Sequence, residues 1–184
     1  MRVIAGRFGG RRLSAPQGRD VRPTADRVRE ALFSSLAAAS ALEDARVLDL
    51  YAGTGALGIE ALSRGAAHAV FIERDGWAAT ALQGNLDALE LGDGEAELRR
   101  ADVPAALREA QRRGETYSLI LCDPPYRLAK GLGRTLSDLL RPVLAGGATV
   151  VTESDRRAPL DLDLDLDLSQ ERRYGDTLIR IHRP

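Results

Sequence analysis

The stretch RVLDLYAGTGALG at residues 46–58 joins a short apolar run to a glycine-rich loop. An apolar run of this length is typical of a buried strand in a parallel sheet. Glycines allow a sharp turn and let a backbone approach a ligand closely. The stretch therefore predicts a strand at 46–50, a ligand-binding loop and then a helix.

The same order of strand, loop and helix repeats along the chain. We predict strands at 46–50, 69–73, 97–100, 119–122 and 148–153, and helices at 57–63, 77–89, 104–113 and 133–140. This alternation is typical of an α/β protein with a doubly wound parallel sheet. Residues 172–174 and 178–182 flank a Gly-Asp turn, which predicts a C-terminal β-hairpin.

Composition narrows the class of protein. The chain has 184 residues, of which 44% are hydrophobic, and it has no long uncharged apolar stretch. We therefore expect no membrane span, no secretory signal and no membrane partner. Cys122, the only cysteine, and the two histidines show no metal-ligand spacing, so we expect neither a disulfide nor a metal. A reducing, cytoplasmic setting fits best.

Positive charge is concentrated at the N-terminus. The net charge is −1, yet residues 1–30 hold eight arginines against three acidic residues. This distribution indicates a phosphate-contacting extension, although surface arginines are often simply solvated. Residues 2–15 predict a hairpin or two short strands, followed by a loop and an amphipathic helix with Arg27 and Arg29 on its exposed face. The candidate RNA-binding residues are Arg2, Arg11, Arg12, Arg22, Arg27 and Arg29.

A second motif, Asp123-Pro124-Pro125-Tyr126, follows the strand predicted at 119–122. Prolines fix their own φ and have no N–H, so Asp123 and the Pro124 carbonyl should be held stiffly as acceptors. Two acceptors suit a planar NH2 group, and Tyr126 offers a face for stacking. The motif predicts a binding site for the exocyclic amine of a nucleobase, with Asp123, Pro124 and Tyr126 as catalytic candidates. The alternative is a rigid turn without function.

The glycine loop leaves two cofactors open. Residues 53–58 match the dinucleotide fingerprint, and Glu73, 20 residues after Gly53, stands where a ribose-binding acid is expected, so an NAD-dependent oxidoreductase competes. Asp49 instead suits a ligand with an ammonium group, such as S-adenosylmethionine. Asp102 could accept from an adenine amine. The cofactor-binding candidates are Asp49, Ala52, Gly53, Gly55, Glu73 and Asp102.

The run RPTADRVREALF at residues 22–33 closely resembles the signature of the bacterial RsmD family. Segments 2–6, 10–13, 60–66 and 174–177 fit the same family, and the resemblance is weakest at 155–170. Gly9 and Ser118 depart from common family residues.

This resemblance implies transfer of a methyl group from S-adenosylmethionine to N2 of a guanine in 16S rRNA, leaving S-adenosylhomocysteine. It implies a Rossmann-like class I methyltransferase fold, with a seven-stranded, mostly parallel sheet. An N-terminal unit at 1–40 and a catalytic unit at 41–184 would form one compact body. The expected partner is 16S rRNA in an assembled or assembling 30S subunit, and nothing demands more than a monomer. Another RNA, DNA or a small-molecule amine as substrate, or binding without catalysis, stays open.

A Leu-Asp repeat occupies residues 160–168. Strict alternation suits an edge strand with its aspartates outward, whereas drift in a tolerant loop is equally consistent with the pattern. An acidic strip repels phosphate, so we expect no catalytic role for it.

Overall fold

The computed structural model describes residues 1–15, 26–125 and 131–184. The strands are Arg46–Leu50 (β1), His68–Ile72 (β2), Ala96–Arg99 (β3), Tyr117–Cys122 (β4), Leu144–Asp155 (β5), Asp167–Tyr174 (β6) and Thr177–Arg183 (β7). The helices are Asp26–Ala38 (α1), Ala56–Ser63 (α2), Gly76–Ala88 (α3), Val103–Arg112 (α4) and Leu132–Leu140 (α5), with a 3-10 turn at Arg141–Val143. None of the helices in these ranges is long and apolar enough to cross a membrane.

One mixed sheet contains all seven strands, in the order β3-β2-β1-β4-β5-β7-β6. Strands β1 to β5 run parallel, while β7 is antiparallel to both β5 and β6. The chain order reverses between β1 and β4, which makes this the switch point where doubly wound sheets bind ligands. The predicted Rossmann-like sheet and its C-terminal antiparallel hairpin are therefore confirmed.

Both faces of the sheet are buried, because successive side chains of a strand point to opposite faces. Val47 and Leu119 belong to an apolar cluster with residues of α1, α2 and α3. Leu48 and Ile120 belong to a second cluster with residues of α4 and α5. This double cover explains why the parallel strands are nearly continuous apolar runs in the sequence.

Residues 1–15, the N-terminal segment, pair with one another and pack on α2. A single antiparallel bridge joins Arg2 and Arg12, as the predicted hairpin requires. The Glu60 carboxylate is fully buried and accepts hydrogen bonds from the N–H groups of Ile4, at 2.7 Å, and Ala5, at 3.1 Å. These contacts fasten the segment to the helix that follows the glycine loop.

The Leu-Asp repeat follows its predicted alternation but forms no strand before Asp167. Leu160 is buried, and Leu162, Leu164 and Leu166 pack against the second apolar cluster, whereas Leu168 and the aspartates are exposed. The segment lies on α5 instead of pairing with the sheet: the N–H of Asp163 donates to Ser137 Oγ at 2.9 Å. Of the two interpretations of the repeat, the loop is therefore the correct one for 160–166, and the edge strands of the sheet are β3 and β6.

Candidate active site

Acidic residues meet at the carboxyl edge of the sheet. Leu50, the last residue of β1, is in register with Ile72 of β2 on one side and with Cys122 of β4 on the other. Glu73 and Asp123, the residues that follow these two partners, therefore flank the loop after β1. The sequence motifs, which are far apart in the chain, lie on neighbouring strands.

The glycine loop has the left-handed backbone that its sequence predicts. Gly53 has a φ of 57° and Gly55 a φ of 84°. A Cβ on Gly55 would lie 2.2 Å from Leu82 Cδ1, so this side chain would have to move, and the left-handed φ itself favours glycine there. A Cβ on Gly53 would meet no atom of the described residues within 4 Å, so the backbone there faces open space where a ligand can approach.

Tyr51, which begins the loop, also has a left-handed φ of 61°, which is uncommon outside glycine. Such strain costs about 1–3 kcal/mol and is concentrated at functional sites. The surrounding structure must therefore hold this loop in place.

Glu73 supplies part of that support. One of its carboxylate oxygens accepts from the Gly53 N–H at 2.9 Å, and the other accepts from the Asp75 N–H at 2.7 Å. Each oxygen keeps a lone pair for a further donor. The spacing of 20 residues that the sequence presents is thus a direct contact across β1 and β2.

Asp49 lies beneath the loop, buried at 1% exposure. Its carboxylate accepts from the Gly58 N–H, the first turn of α2, at 2.9 Å. Burial raises the pKa of Asp49 to about 7, the charge of Glu73 adds to the increase, and the Gly58 hydrogen bond opposes it. A cation bound beside this carboxylate would stabilise its ionised form.

Asp123 lies half-buried just after β4, and Pro124 is buried. Burial, with the negative charges of Glu153 and Asp49, raises the pKa of Asp123 well above its usual value. The carboxylates of Asp49, Glu73 and Asp123 thus lie at one edge of the sheet, and their negative charges favour binding of a positively charged ligand. No group of three His, Cys, Asp or Glu side chains within 1–15, 26–125 and 131–184 is placed to hold a metal ion.

Two other predicted site residues have less geometric support. Asp102 follows β3 at the same edge, but it is exposed and its carboxylate caps α4 by accepting from the Ala105 N–H at 2.8 Å. Tyr126 lies outside the described residues. Their roles stay predictions.

Four of the predicted RNA-binding arginines lie on the surface: Arg2, Arg11, Arg12 and Arg27. Arg2 pairs with Asp26 at 3.4 Å, and Arg11 donates to the Ala88 carbonyl at 2.6 Å. Arg22 lies outside the described residues.

Arg29 does not lie on the exposed face of α1, so that prediction is wrong. Its side chain has no exposed area, and it donates to the Arg2 carbonyl at 2.7 Å and to Asp26 at 2.8 Å. The helical pattern places Arg29 next to Val28 on the buried side. Its guanidinium therefore joins the N-terminal segment to α1, where it cannot contact RNA directly.

From their residue types, the sequence predicts that Trp77 and Cys122 pack in the core, and one of the two does. Cys122 is buried, as predicted. Trp77 is 71% exposed at the start of α3, so its assignment to the core is wrong. The start of α3 is stabilised by Asp75 and not by Trp77. Asp75 caps the helix, because its carboxylate accepts hydrogen bonds from the N–H groups of Trp77 and Ala78.

Sequence reasoning missed two supporting residues, Glu60 and Asn85. Both are buried polar side chains on helices. Asn85 falls on the buried face of α3 between Leu82 and Leu86, and a polar residue in such an apolar stripe was the available signal. Its amide hydrogen-bonds to Ser14 and to Thr54 of the glycine loop.

Comparison with known proteins identifies the family. The family model described as "Conserved hypothetical protein 95" matches residues 1–183. The chain belongs to this family, the RsmD family. A relative named ribosomal RNA small subunit methyltransferase D, from Escherichia coli strain K12, is 39% identical over 157 residues, which cover 84% of this chain and 75% of the relative.

Solved structures agree with the RsmD-family fold. The structure of the Escherichia coli protein yhhF, described as a candidate methyltransferase, is 36% identical, has a TM-score of 0.84 and covers 100% of this chain and 97% of its own. A candidate methyltransferase named SMU.776, solved in complex with SAH, is 14% identical with a TM-score of 0.73 over 86% of this chain and 49% of its own. At that identity the likeness to SMU.776 concerns the fold alone.

Proposed function

We propose that this protein transfers a methyl group from S-adenosylmethionine to the exocyclic N2 amine of a guanine in 16S rRNA. The observation that carries the proposal is the register of Leu50 with Cys122, because it puts Asp123 and Pro124 beside the loop after β1. A donor held by this loop would lie next to an amine held by Asp123. The small-subunit rRNA methyltransferase named among the relatives supports the same substrate.

The loop region fits S-adenosylmethionine better than NAD. The buried Asp49 carboxylate has a pKa raised to about 7, and an ammonium group would relieve its cost of ionisation. Glu73 would accept from ribose hydroxyls while it holds Gly53, and Asp102, which follows the next strand of the sheet, would accept from an adenine amine. When bound, S-adenosylmethionine supplies a methyl group activated by its sulfonium charge.

Asp123 and Pro124 would prepare the acceptor nitrogen. The lone pair of a guanine amine is delocalised into the ring, so the amine is a weak nucleophile. Hydrogen bonds from its two protons to the Asp123 carboxylate and the Pro124 carbonyl favour a pyramidal nitrogen whose lone pair is free. As the nitrogen becomes positive, Asp123 stabilises it and takes the released proton. Positioning of this kind contributes about 7–11 kcal/mol to the lowering of the barrier.

The RNA would approach along the N-terminal segment. The exposed Arg2, Arg11 and Arg12 of this segment and Arg27 of α1 suit phosphate contacts, and we assign Arg22 the same role. The target base must leave its stack to reach Asp123, and Tyr126 would stack on it. We propose an assembling 30S subunit in the cytoplasm as the substrate and a monomer as the active form.

The choice of substrate is tested by offering labelled S-adenosylmethionine with 16S rRNA, 30S subunits or DNA from cells lacking the gene. We expect label in 16S rRNA, mapped to N2 of one guanine. Label in DNA, in another RNA or on an adenine would overturn the assignment of the substrate. Thermal shift with S-adenosylhomocysteine and with NAD separates the two cofactors, and stabilisation by NAD alone would reject the methyl donor.

A further inference from the structure

A buried amide links the N-terminal segment to the glycine loop. The Asn85 side chain is 2% exposed and lies on the face of α3 that packs under the loop. Its Nδ2 donates to the Thr54 carbonyl at 2.9 Å and to the Ser14 carbonyl at 3.1 Å, and its Oδ1 accepts from the Ser14 N–H at 2.8 Å. Both amide protons are used, so the side chain has one well-defined orientation.

The two partners of this amide belong to different parts of the site. Thr54 stands between Gly53 and Gly55, the two residues whose left-handed φ values shape the loop. Ser14 follows Arg11 and Arg12, two of the exposed arginines that we assign to RNA, and the buried Leu13. A shift of the arginine segment would therefore disturb the hydrogen bonds that hold the loop.

We propose that Asn85 is a positioning residue that couples RNA binding at the N-terminal segment to cofactor binding at the glycine loop. The inference rests on the proposed function, since it needs both ligands to bind. Each ligand holds one side of this hydrogen-bonded amide against local opening, so the other side also opens less often and the second ligand binds more tightly. Coupling is reciprocal, so the cofactor strengthens RNA binding by the same factor as RNA strengthens cofactor binding.

The test measures the Kd of S-adenosylhomocysteine by calorimetry with and without 16S rRNA. In the wild type we expect RNA to tighten cofactor binding by about five-fold or more, the lower end of typical couplings. In Asn85→Ala the ratio should fall to about one. Gln83→Ala is the matched control, because Gln83 is an exposed amide on the same helix whose side chain donates to Asp87, and it should keep the wild-type ratio.

A wild-type ratio of one, or an unchanged ratio in Asn85→Ala, would overturn the inference. A second measurement needs no variant: S-adenosylhomocysteine should slow hydrogen exchange of the Ser14 amide several-fold, and unchanged exchange would also reject the coupling. If the wild type methylates 16S rRNA but shows a ratio of one, the proposed function stands and only the coupling fails. If it methylates no RNA, the proposed function fails.

Discussion

The Glu73 carboxylate accepts a hydrogen bond from the backbone N–H of Gly53 at 2.9 Å, which ties the end of β2 to the loop after β1. The other oxygen of the same carboxylate holds the Asp75 N–H, so the orientation of the side chain is fixed before any ligand binds. The acceptor that we propose for ribose hydroxyls is thereby preorganised, and it supports the loop in which Tyr51 has a left-handed φ.

Glu73→Ala should weaken the binding of S-adenosylhomocysteine by about 10- to 100-fold. Loss of the carboxylate leaves the Gly53 N–H without its acceptor, which costs about 1–3 kcal/mol, and it also removes the proposed ribose contact. Isothermal titration calorimetry measures the change. Glu43→Ala, which removes an exposed glutamate before the start of β1, at the other end of this strand from the loop, is the control, and equal affinities for the two variants would contradict the role of Glu73.

Asp49→Asn should stabilise the empty protein at neutral and higher pH. The pKa of Asp49 is raised to about 7 in the folded state from 3.8, so the folded state binds this proton more tightly than the unfolded state. Its contribution to stability therefore falls as pH rises from about 4 to 7. In urea unfolding, the free energy of unfolding of Asp49→Asn should exceed that of the wild type by an amount that grows across this pH window to the order of 2–4 kcal/mol. A constant difference between pH 4 and 8 would refute this.

The same variant should bind S-adenosylhomocysteine more weakly above pH 7, since it offers no charge to the ammonium group. For the wild type, affinity should decline as the pH drops below about 7, because the ligand then competes with a proton on Asp49. Calorimetry at several pH values checks both statements. A wild-type affinity independent of pH between 5 and 8 would exclude Asp49 as the ammonium site.

Methyl transfer should require the ionised form of Asp123. The pKa of Asp123 is raised by burial and by Glu153, so kcat/KM should increase with pH and level off above that raised pKa. Glu153→Gln removes one of the repelling charges and should move the midpoint to lower pH. Glu43→Gln, which removes an exposed charge, should leave it in place. An identical midpoint in wild type and Glu153→Gln would contradict this assignment.

Replacing Arg12 should affect RNA binding, whereas replacing Arg29 should affect the stability of the fold. Arg12 is exposed, so Arg12→Ala should reduce the slope of log K against log salt for RNA binding by about 0.7–0.9, the value for one phosphate contact. Arg29→Ala should leave the salt slope alone and lower the free energy of unfolding by about 1.5–3 kcal/mol, since Arg29 is buried and bonds Asp26. Filter binding and urea unfolding distinguish the two, and a reduced slope for Arg29→Ala would contradict its structural role.

The sheet and its loop could be predicted from sequence because their signals are local. The bounds predicted for β1 agree with those observed, because the apolar run is followed by glycines, which are typical of a turn. The spacing between Gly53 and Glu73 also carries structural information, because it equals the length of one helix and one parallel strand. Strand β5 is longer than predicted, starting at Leu144, because pairing with β4 continues past the apolar residues through a register irregularity.

The parts that sequence did not predict depend on tertiary contacts. Arg29 is charged, so its residue type predicts exposure. The local sequence does not indicate that the Arg2 carbonyl and Asp26 accept hydrogen bonds from its buried guanidinium. Trp77 is a large aromatic that the fold leaves exposed, against the usual preference of its type. Asn85 acts through Ser14, 71 residues away, and no spacing rule relates two such positions.

The central claim is that Asp123 grips the target amine beside a methyl donor held by the glycine loop. Its most direct test is a single-turnover assay of label transfer from S-adenosylmethionine to 16S rRNA, comparing wild type with Asp123→Asn, together with the Kd of S-adenosylhomocysteine for each. We expect methyl transfer to be abolished in Asp123→Asn while cofactor affinity stays close to that of the wild type. Transfer by Asp123→Asn at the wild-type rate would contradict the account.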